Sequence, residues 1–132
     1  MAAARNALRR ATEIVGVVAE QAPAYALSFA QRRVVETDAT TAIADGLAVR
    51  RPNADAVAVI VQNVARMVKV SDPEIMGAMC ALYEDTHNLA EGAGAAALAA
   101  AMKERENLRG KRIGAVLTGG NVDRATYAAV LS

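Results

Sequence analysis

The sequence predicts an α/β protein with a parallel sheet that is covered by helices. Short apolar runs rich in β-branched residues, such as Ile14–Val18 and Ile113–Leu117, alternate with longer stretches in which apolar residues recur every three or four positions. Continuous apolar runs are typical of strands that are buried on both faces of a parallel sheet. Alanine supplies 32 of the 132 residues, so the helices can pack closely against such a sheet.

The first half of the chain is expected to contain three helical segments and two strands. Good helix formers, β-branched runs and an asparagine before an apolar helical pattern carry these predictions. The polar stretch 31–41 is expected to cross the surface. The segments are a helix over Ala2–Arg10, a strand over Thr12–Val18, one or two helical turns over Ala24–Ala30, a helix over Ala54–Met67 that Asn53 caps, and a strand over Met67–Val70.

The second half begins with a clear helix-start signal. Ser71-Asp72-Pro73-Glu74 has the form of a capping box, in which Ser71 and Glu74 each accept a hydrogen bond from the other's backbone NH. The helix that starts there should continue to about Asp85. The remaining elements are expected to be a helix over Ala95–Met102 with a charged end over Glu104–Lys111, a buried strand over Arg112–Leu117, and a last helix over Asp123–Leu131.

Composition limits the classes of protein that are possible. Fifteen basic residues face 14 acidic ones, so a charged surface for nucleic acid is not expected. The single cysteine, Cys80, excludes an internal disulfide framework and a cysteine zinc site, and favours a reducing cytoplasmic location. No apolar run reaches the roughly 17 to 25 residues of a membrane-spanning helix. The length is about that of one soluble domain.

The residues that follow the predicted strands are the candidates for function, because ligands of parallel α/β sheets bind beyond the carboxyl ends of the strands. These are Glu20, Ser71 and the loop Thr118-Gly119-Gly120-Asn121. The two glycines of the loop allow a ligand to approach the backbone closely. An ordinary strand-to-helix turn, in which Asn121 or Asp123 caps the last helix, explains the same residues.

Five segments, taken in this order, resemble the carboxy-terminal portion of the pyridoxal-phosphate-dependent threonine/serine dehydratases, which share the fold type II of the tryptophan synthase β family. The resemblance implies a three-layer parallel-sheet large domain that is present only in its carboxy-terminal part, with residues 1–132 forming a single incomplete domain. The segments are Ile14-Val15-Gly16-Val17 followed by Glu20, Thr41-Ala42-Ile43-Ala44-Asp45-Gly46, Val68-Lys69-Val70-Ser71-Asp72, Glu91-Gly92-Ala93-Gly94, and Leu117-Thr118-Gly119-Gly120-Asn121.

The same resemblance assigns roles around the cofactor. Thr118 would donate its hydroxyl to the pyridine nitrogen of pyridoxal 5'-phosphate, with Gly119, Gly120 and Asn121 completing the loop. A hydroxyl that bonds a neighbouring turn amide is the alternative. Glu91 would lie near the cofactor ring, although a helix-capping or solvated carboxylate is equally compatible with the sequence. Gly46 would pass close to the cofactor as backbone only.

A divalent-cation site is also implied by the resemblance. Glu20 and the backbone carbonyl of Ala24 match two of the ligands in metal-activated relatives, but Ala26 stands where the family pattern has a further acid. Magnesium and similar hard cations need several oxygen ligands, so the set is incomplete in this sequence.

His87 and Cys80 are expected to have structural roles. A single histidine at the end of a predicted helix is typical of a capping or hydrogen-bonding residue. Cys80 falls within an apolar helical pattern and is expected to pack in the core.

The activity implied by the resemblance is the conversion of L-threonine or L-serine to a 2-oxo acid and ammonia by β-elimination. The family's Schiff-base lysine lies in a Ser-x-Lys-x-Arg-Gly segment that this chain lacks, so the chain alone is expected to be inactive. The alternative is a non-catalytic truncated domain that self-associates or pairs with a separate amino-terminal half. The expected partners are therefore a hydroxy amino acid in the complete enzyme, and a second copy or an amino-terminal half.

Overall fold

The computed structural model describes all 132 residues and confirms a mixed α/β chain with a parallel sheet. Strands β1 (Val15–Ala19) and β2 (Arg66–Val70) pair in parallel, with Val17 opposite Val68. Seven helices accompany this two-stranded sheet, together with a short 3-10 helix over Asp45–Leu47. The helices are α1 (Ala2–Ala7), α2 (Ala24–Gln31), α3 (Ala54–Asn63), α4 (Asp72–Thr86), α5 (Gly92–Lys103), α6 (Arg105–Leu108) and α7 (Arg124–Leu131).

The predicted helix starts at α3 and α4 are confirmed. Asn53 accepts a hydrogen bond from the Ala56 NH at 3.0 Å. The Ser71 NH donates to Glu74 at 2.8 Å and the Glu74 NH donates back to Ser71 at 3.4 Å, which completes the capping box. These bonds satisfy NH groups that have no partner inside a helix.

Helix α3 ends at Asn63, four residues earlier than the sequence predicts. The apolar pattern continues to Met67, but the Ala65 NH already donates to the Ile14 carbonyl at 2.9 Å, just before β2 begins at Arg66. Hydrogen bonding to the chain before β1 therefore ends the helix here, although the helix propensity of the sequence continues.

Small side chains build the core around α5. Helix α5 contacts both strands and packs along α4. Nine of the 15 residues in the buried core are alanines, and the largest fully buried side chains of this cluster are Ile75, Met79 and Val70. Helix α7 closes one side with Tyr127, whose ring meets that of Tyr83 edge to face at 6.0 Å. The alanine-rich composition thus lets the helix layer approach the sheet closely.

The predicted buried strand over Arg112–Leu117 is wrong in this structure. The segment has no strand partner, because β1 and β2 pair only with each other. Its apolar side chains are exposed, with 51% for Ile113 and 49% for Val116. A strand of a parallel sheet needs a hydrogen-bonded neighbour and covered faces, and these residues have neither here.

His87 and Cys80 have the structural roles that the sequence predicts. His87 ends α4 in the left-handed conformation with φ 55°, and its ring Nδ1 lies 3.2 Å from the Tyr83 carbonyl. The half-buried thiol of Cys80 donates to the Val130 carbonyl at 3.2 Å and so joins α4 to α7. No helix is both long enough and apolar enough to cross a lipid bilayer.

Candidate functional site

Three segments that are distant in the sequence meet at the amino end of α5. The first is the 3-10 helix, where Gly46 lies so close to Ala93 that a Cβ added to the glycine would come within 2.9 Å of the alanine methyl. The second is α5 itself, and the third is the Thr118–Asn121 loop, whose Gly119 carbonyl accepts a hydrogen bond from the Glu91 NH at 3.1 Å. The structure therefore brings together the three segments that carry most of the resemblance.

The contact between α5 and the loop is made by backbone against backbone. A Cβ added to Gly94 would overlap the carbonyl oxygen of Gly119. Because a backbone carbonyl in a hydrogen-bonded loop cannot swing away as a flexible side chain can, Gly94 has to be a glycine for this approach. The loop is thereby held directly on the first turn of α5.

Glu91 occupies the N-cap position of α5 but does not cap the helix. Its side chain accepts no capping hydrogen bond. The half-buried carboxylate instead lies against Gly119, since a Cβ added to that glycine would overlap Oε1. The helix-capping alternative for Glu91 is therefore wrong, and a carboxylate lies beside the loop.

Thr118 is exposed, and the side-chain hydrogen bonds of the following turn are made by other residues. Asp123 caps α7 by accepting from the Thr126 NH at 2.9 Å and from the Thr126 hydroxyl at 2.6 Å. The hydrogen bond from the Thr126 hydroxyl and that from its NH hold the pKa of Asp123 below its ordinary value. The capping residue is thus Asp123 rather than Asn121, which is exposed, and the Thr118 hydroxyl stays available to a ligand.

The structure adds no acidic ligand to the predicted cation pair of Glu20 and Ala24. Glu20 follows β1 and is exposed, and its NH donates to the Val70 carbonyl at 2.8 Å. Ala24 is fully buried in the first turn of α2, where carbonyl groups accept the helix's own hydrogen bonds. No cluster of three or more acidic, histidine or cysteine side chains is present. The predicted divalent cation therefore has no supporting ligand set.

A lysine supports the capping box. The Lys103 ammonium donates to Glu74 at 3.0 Å and to the Lys69 carbonyl at 2.9 Å. Partial burial alone would raise the pKa of Glu74, but hydrogen bonds from Ser71 and Lys103 outweigh it, and the pKa lies below its ordinary value of 4.5. Lys103 is thus engaged in holding the end of α5 to the start of α4.

Sequence reasoning missed Asp72 as part of this region. The sequence places Asp72 in the capping-box motif and in one of the resembling segments but gives it no partner. In the structure its carboxylate accepts hydrogen bonds from Thr41 and Ala42, which lie 31 and 30 residues earlier. The usable signal was its position directly beyond β2, where ligand-site residues of parallel sheets collect.

The parallel sheet and the candidate site define an α/β protein in which glycine-containing segments meet beyond the carboxyl ends of the strands. A profile described as "Pyridoxal-phosphate dependent enzyme" matches residues 1–119. The chain is 39% identical over 119 residues to an L-threonine ammonia-lyase of Geobacter sulfurreducens, covering 89% of this chain and 29% of that protein. The chain belongs to the pyridoxal-phosphate-dependent enzyme family.

Solved structures agree with the family assignment. The processed threonine deaminase isoform 2 of Solanum lycopersicum superposes with a TM-score of 0.88 at 27% identity, over 98% of this chain and 38% of that one. A maize serine racemase gives a TM-score of 0.86 at 28% identity, over 97% and 40%. The chain thus spans between 29% and 40% of the length of these relatives.

The residues present fit one side of pyridoxal phosphate. The exposed Thr118 hydroxyl has no partner within the protein and can donate to a ring nitrogen, and the Glu91 carboxylate lies against the same loop. A backbone surface formed by Gly119 and Gly46 flanks them at the amino end of α5. These are groups that could hold the pyridine edge of the cofactor rather than its phosphate.

Proposed function

We propose that this chain is the carboxy-terminal part of the cofactor-binding domain of a threonine/serine ammonia-lyase. The observation that carries the proposal is the meeting of residues 44–46, 91–94 and 118–121 at the amino end of α5. The 39% identity to an L-threonine ammonia-lyase supports this reaction class. The complete enzyme would convert L-threonine or L-serine to a 2-oxo acid and ammonia, the water lost in elimination being regained at hydrolysis.

The residues of this chain have separate tasks in that reaction. Pyridoxal phosphate, when bound, supplies the electron sink that makes loss of the α-proton possible. Thr118 donates a neutral hydrogen bond to the pyridine nitrogen and leaves that nitrogen unprotonated, which favours elimination over transamination. Glu91 supplies a negative charge beside the loop, and Gly46 lets the 3-10 helix lie next to the cofactor without a side chain.

The test is 2-oxo acid production by the longest in-frame protein that carries these 132 residues, with pyridoxal phosphate and each hydroxy amino acid. Thr118→Val should lower kcat about tenfold, as expected for one lost hydrogen bond of about 1.4 kcal/mol. Thr118→Ser should retain the rate. Thr12→Val, at an exposed threonine far along the chain from the loop, is the control. Absence of any 2-oxo acid, or equal rates for Thr118→Val and the control, would contradict the proposal.

A second candidate function follows from the exposed segment 112–117. Its apolar side chains, including Ile113 and Val116, would be covered if this chain paired with a second copy or with a separate amino-terminal half. The two candidate functions predict different coding sequences upstream of these 132 residues. An upstream reading frame that continues into a glycine-rich loop and a Ser-x-Lys-x-Arg-Gly segment supports the complete enzyme, and a stop codon directly upstream supports the non-catalytic domain.

A further inference from the structure

One segment of the chain lies across the carboxyl ends of both strands. This bridging segment, residues 40–46, is held on one side by the Thr40 NH, which donates at 3.0 Å to the Gln21 carbonyl just beyond β1. On the other side it reaches Asp72, just beyond β2. The segment therefore spans the sheet edge at which ligands of parallel α/β proteins bind.

Both carboxylate oxygens of Asp72 accept hydrogen bonds from the bridging segment. The Thr41 hydroxyl donates to Oδ1 at 2.6 Å, and the Ala42 NH donates to Oδ2 at 2.8 Å. Hydrogen bonds to an ionised carboxylate are about twice as strong as neutral ones. The half-buried carboxylate also lies at the first residue of α4, where the helix dipole stabilises a negative charge.

Further hydrogen bonds connect Thr41 to the 3-10 helix at the candidate site. The Thr41 hydroxyl oxygen accepts from the Ala44 NH at 3.2 Å, and the carbonyl of the fully buried Ala44 accepts from the Leu47 NH at 2.8 Å. These bonds set the start of the 3-10 helix that carries Gly46 against Ala93. Three successive hydrogen bonds thus link Asp72 to the 3-10 helix that lies beside α5.

We propose that Asp72 is a positioning residue that fixes the bridging segment, and with it Gly46, against the amino end of α5. The inference rests on the proposed function only for the identity of the ligand that this surface meets. Asp72 does not contact the Thr118 loop through any hydrogen bond. It acts instead through Thr41 and Ala42.

The first test is amide hydrogen exchange of the purified chain. In Asp72→Asn one amide oxygen still accepts, but the NH₂ group cannot accept from the Ala42 NH, so exchange within residues 41–47 should become at least about tenfold faster. Thr41→Val should produce a similar change, and Thr41→Ser should restore slow exchange. Asp55→Asn is the control, because Asp55 is likewise a carboxylate in the first turn of a helix but is exposed and makes no hydrogen bond to another segment.

The second test is the dissociation constant for pyridoxal phosphate in the longest in-frame protein, measured by equilibrium dialysis. Asp72→Asn should weaken binding at least about threefold, whereas Asp55→Asn should leave it unchanged. Exchange in Asp72→Asn that equals that of the control overturns the inference, as does faster exchange with unchanged cofactor affinity. If the wild-type protein binds no pyridoxal phosphate, the proposed function fails, and the exchange result alone then decides whether Asp72 fixes the segment.

Discussion

Replacement of Gly94 by alanine tests the contact on which the candidate site depends. Gly94 lies in the first turn of α5, and an added methyl group would overlap the Gly119 carbonyl. Alanine is the better helix former by about 1 kcal/mol, so a view based on helix propensity alone predicts stabilisation. We expect the opposite, because the overlapping atom belongs to a backbone that is fixed by a hydrogen bond from the Glu91 NH.

The magnitude follows from the two costs of moving the loop. Forcing one methyl group into a closely packed contact costs about 1–3 kcal/mol. Displacing the loop also loses the hydrogen bond between Glu91 and Gly119, which contributes about 0.5–1.5 kcal/mol. After the gain in helix propensity is subtracted, Gly94→Ala should lower the free energy of unfolding by about 0.5–3.5 kcal/mol.

A matched glycine makes the experiment decisive. Gly77 lies within α4, is exposed, and has no atom within 4 Å of an added Cβ. Gly77→Ala should therefore raise the free energy of unfolding by about 0.5–1 kcal/mol. Both variants are measured by urea denaturation, and amide exchange at Glu91 should accelerate only in Gly94→Ala. The reasoning is refuted if both variants stabilise the protein to the same extent.

Three further predictions concern pH, covalent chemistry and assembly. The pKa of Glu74 in the fold lies below 4.5, so the contribution of Glu74 to stability should be complete above about pH 5 and should be lost as the pH falls through the lowered pKa. Glu74→Gln should flatten this part of the pH dependence of the free energy of unfolding, measured by urea denaturation. An unchanged pH dependence would contradict the prediction. The purified chain should give no stoichiometric lysine adduct with pyridoxal phosphate after borohydride reduction, and mass mapping of one adduct that is lost in Thr118→Val would show otherwise. Light scattering across a dilution series should detect association through the exposed segment 112–117, whereas a monomer at every concentration would count against the truncated-domain interpretation.

Local signals were sufficient for the elements whose causes are local. The capping box at Ser71 and Glu74, the cap at Asn53 and the run before Glu20 predicted where α4, α3 and β1 lie. Each depends on hydrogen bonds or apolar spacing within a few residues. The resemblance to the dehydratases, and not any local signal, implied that residues 44–46, 91–94 and 118–121 belong to one site.

Only the tertiary structure decided the features that depend on distant partners. The apolar run at 112–117 has the composition of a buried strand, but strand formation requires a neighbouring strand, and none is available to it in this chain. The sequence allows Glu91 to cap α5, but in the structure its side chain lies against Gly119. Asp72 and Thr41 are 31 residues apart, and no periodicity links them. The sequence by itself therefore determined which local elements form, and the tertiary structure determined which groups meet, because burial and hydrogen bonding between distant segments exist only once the chain has folded.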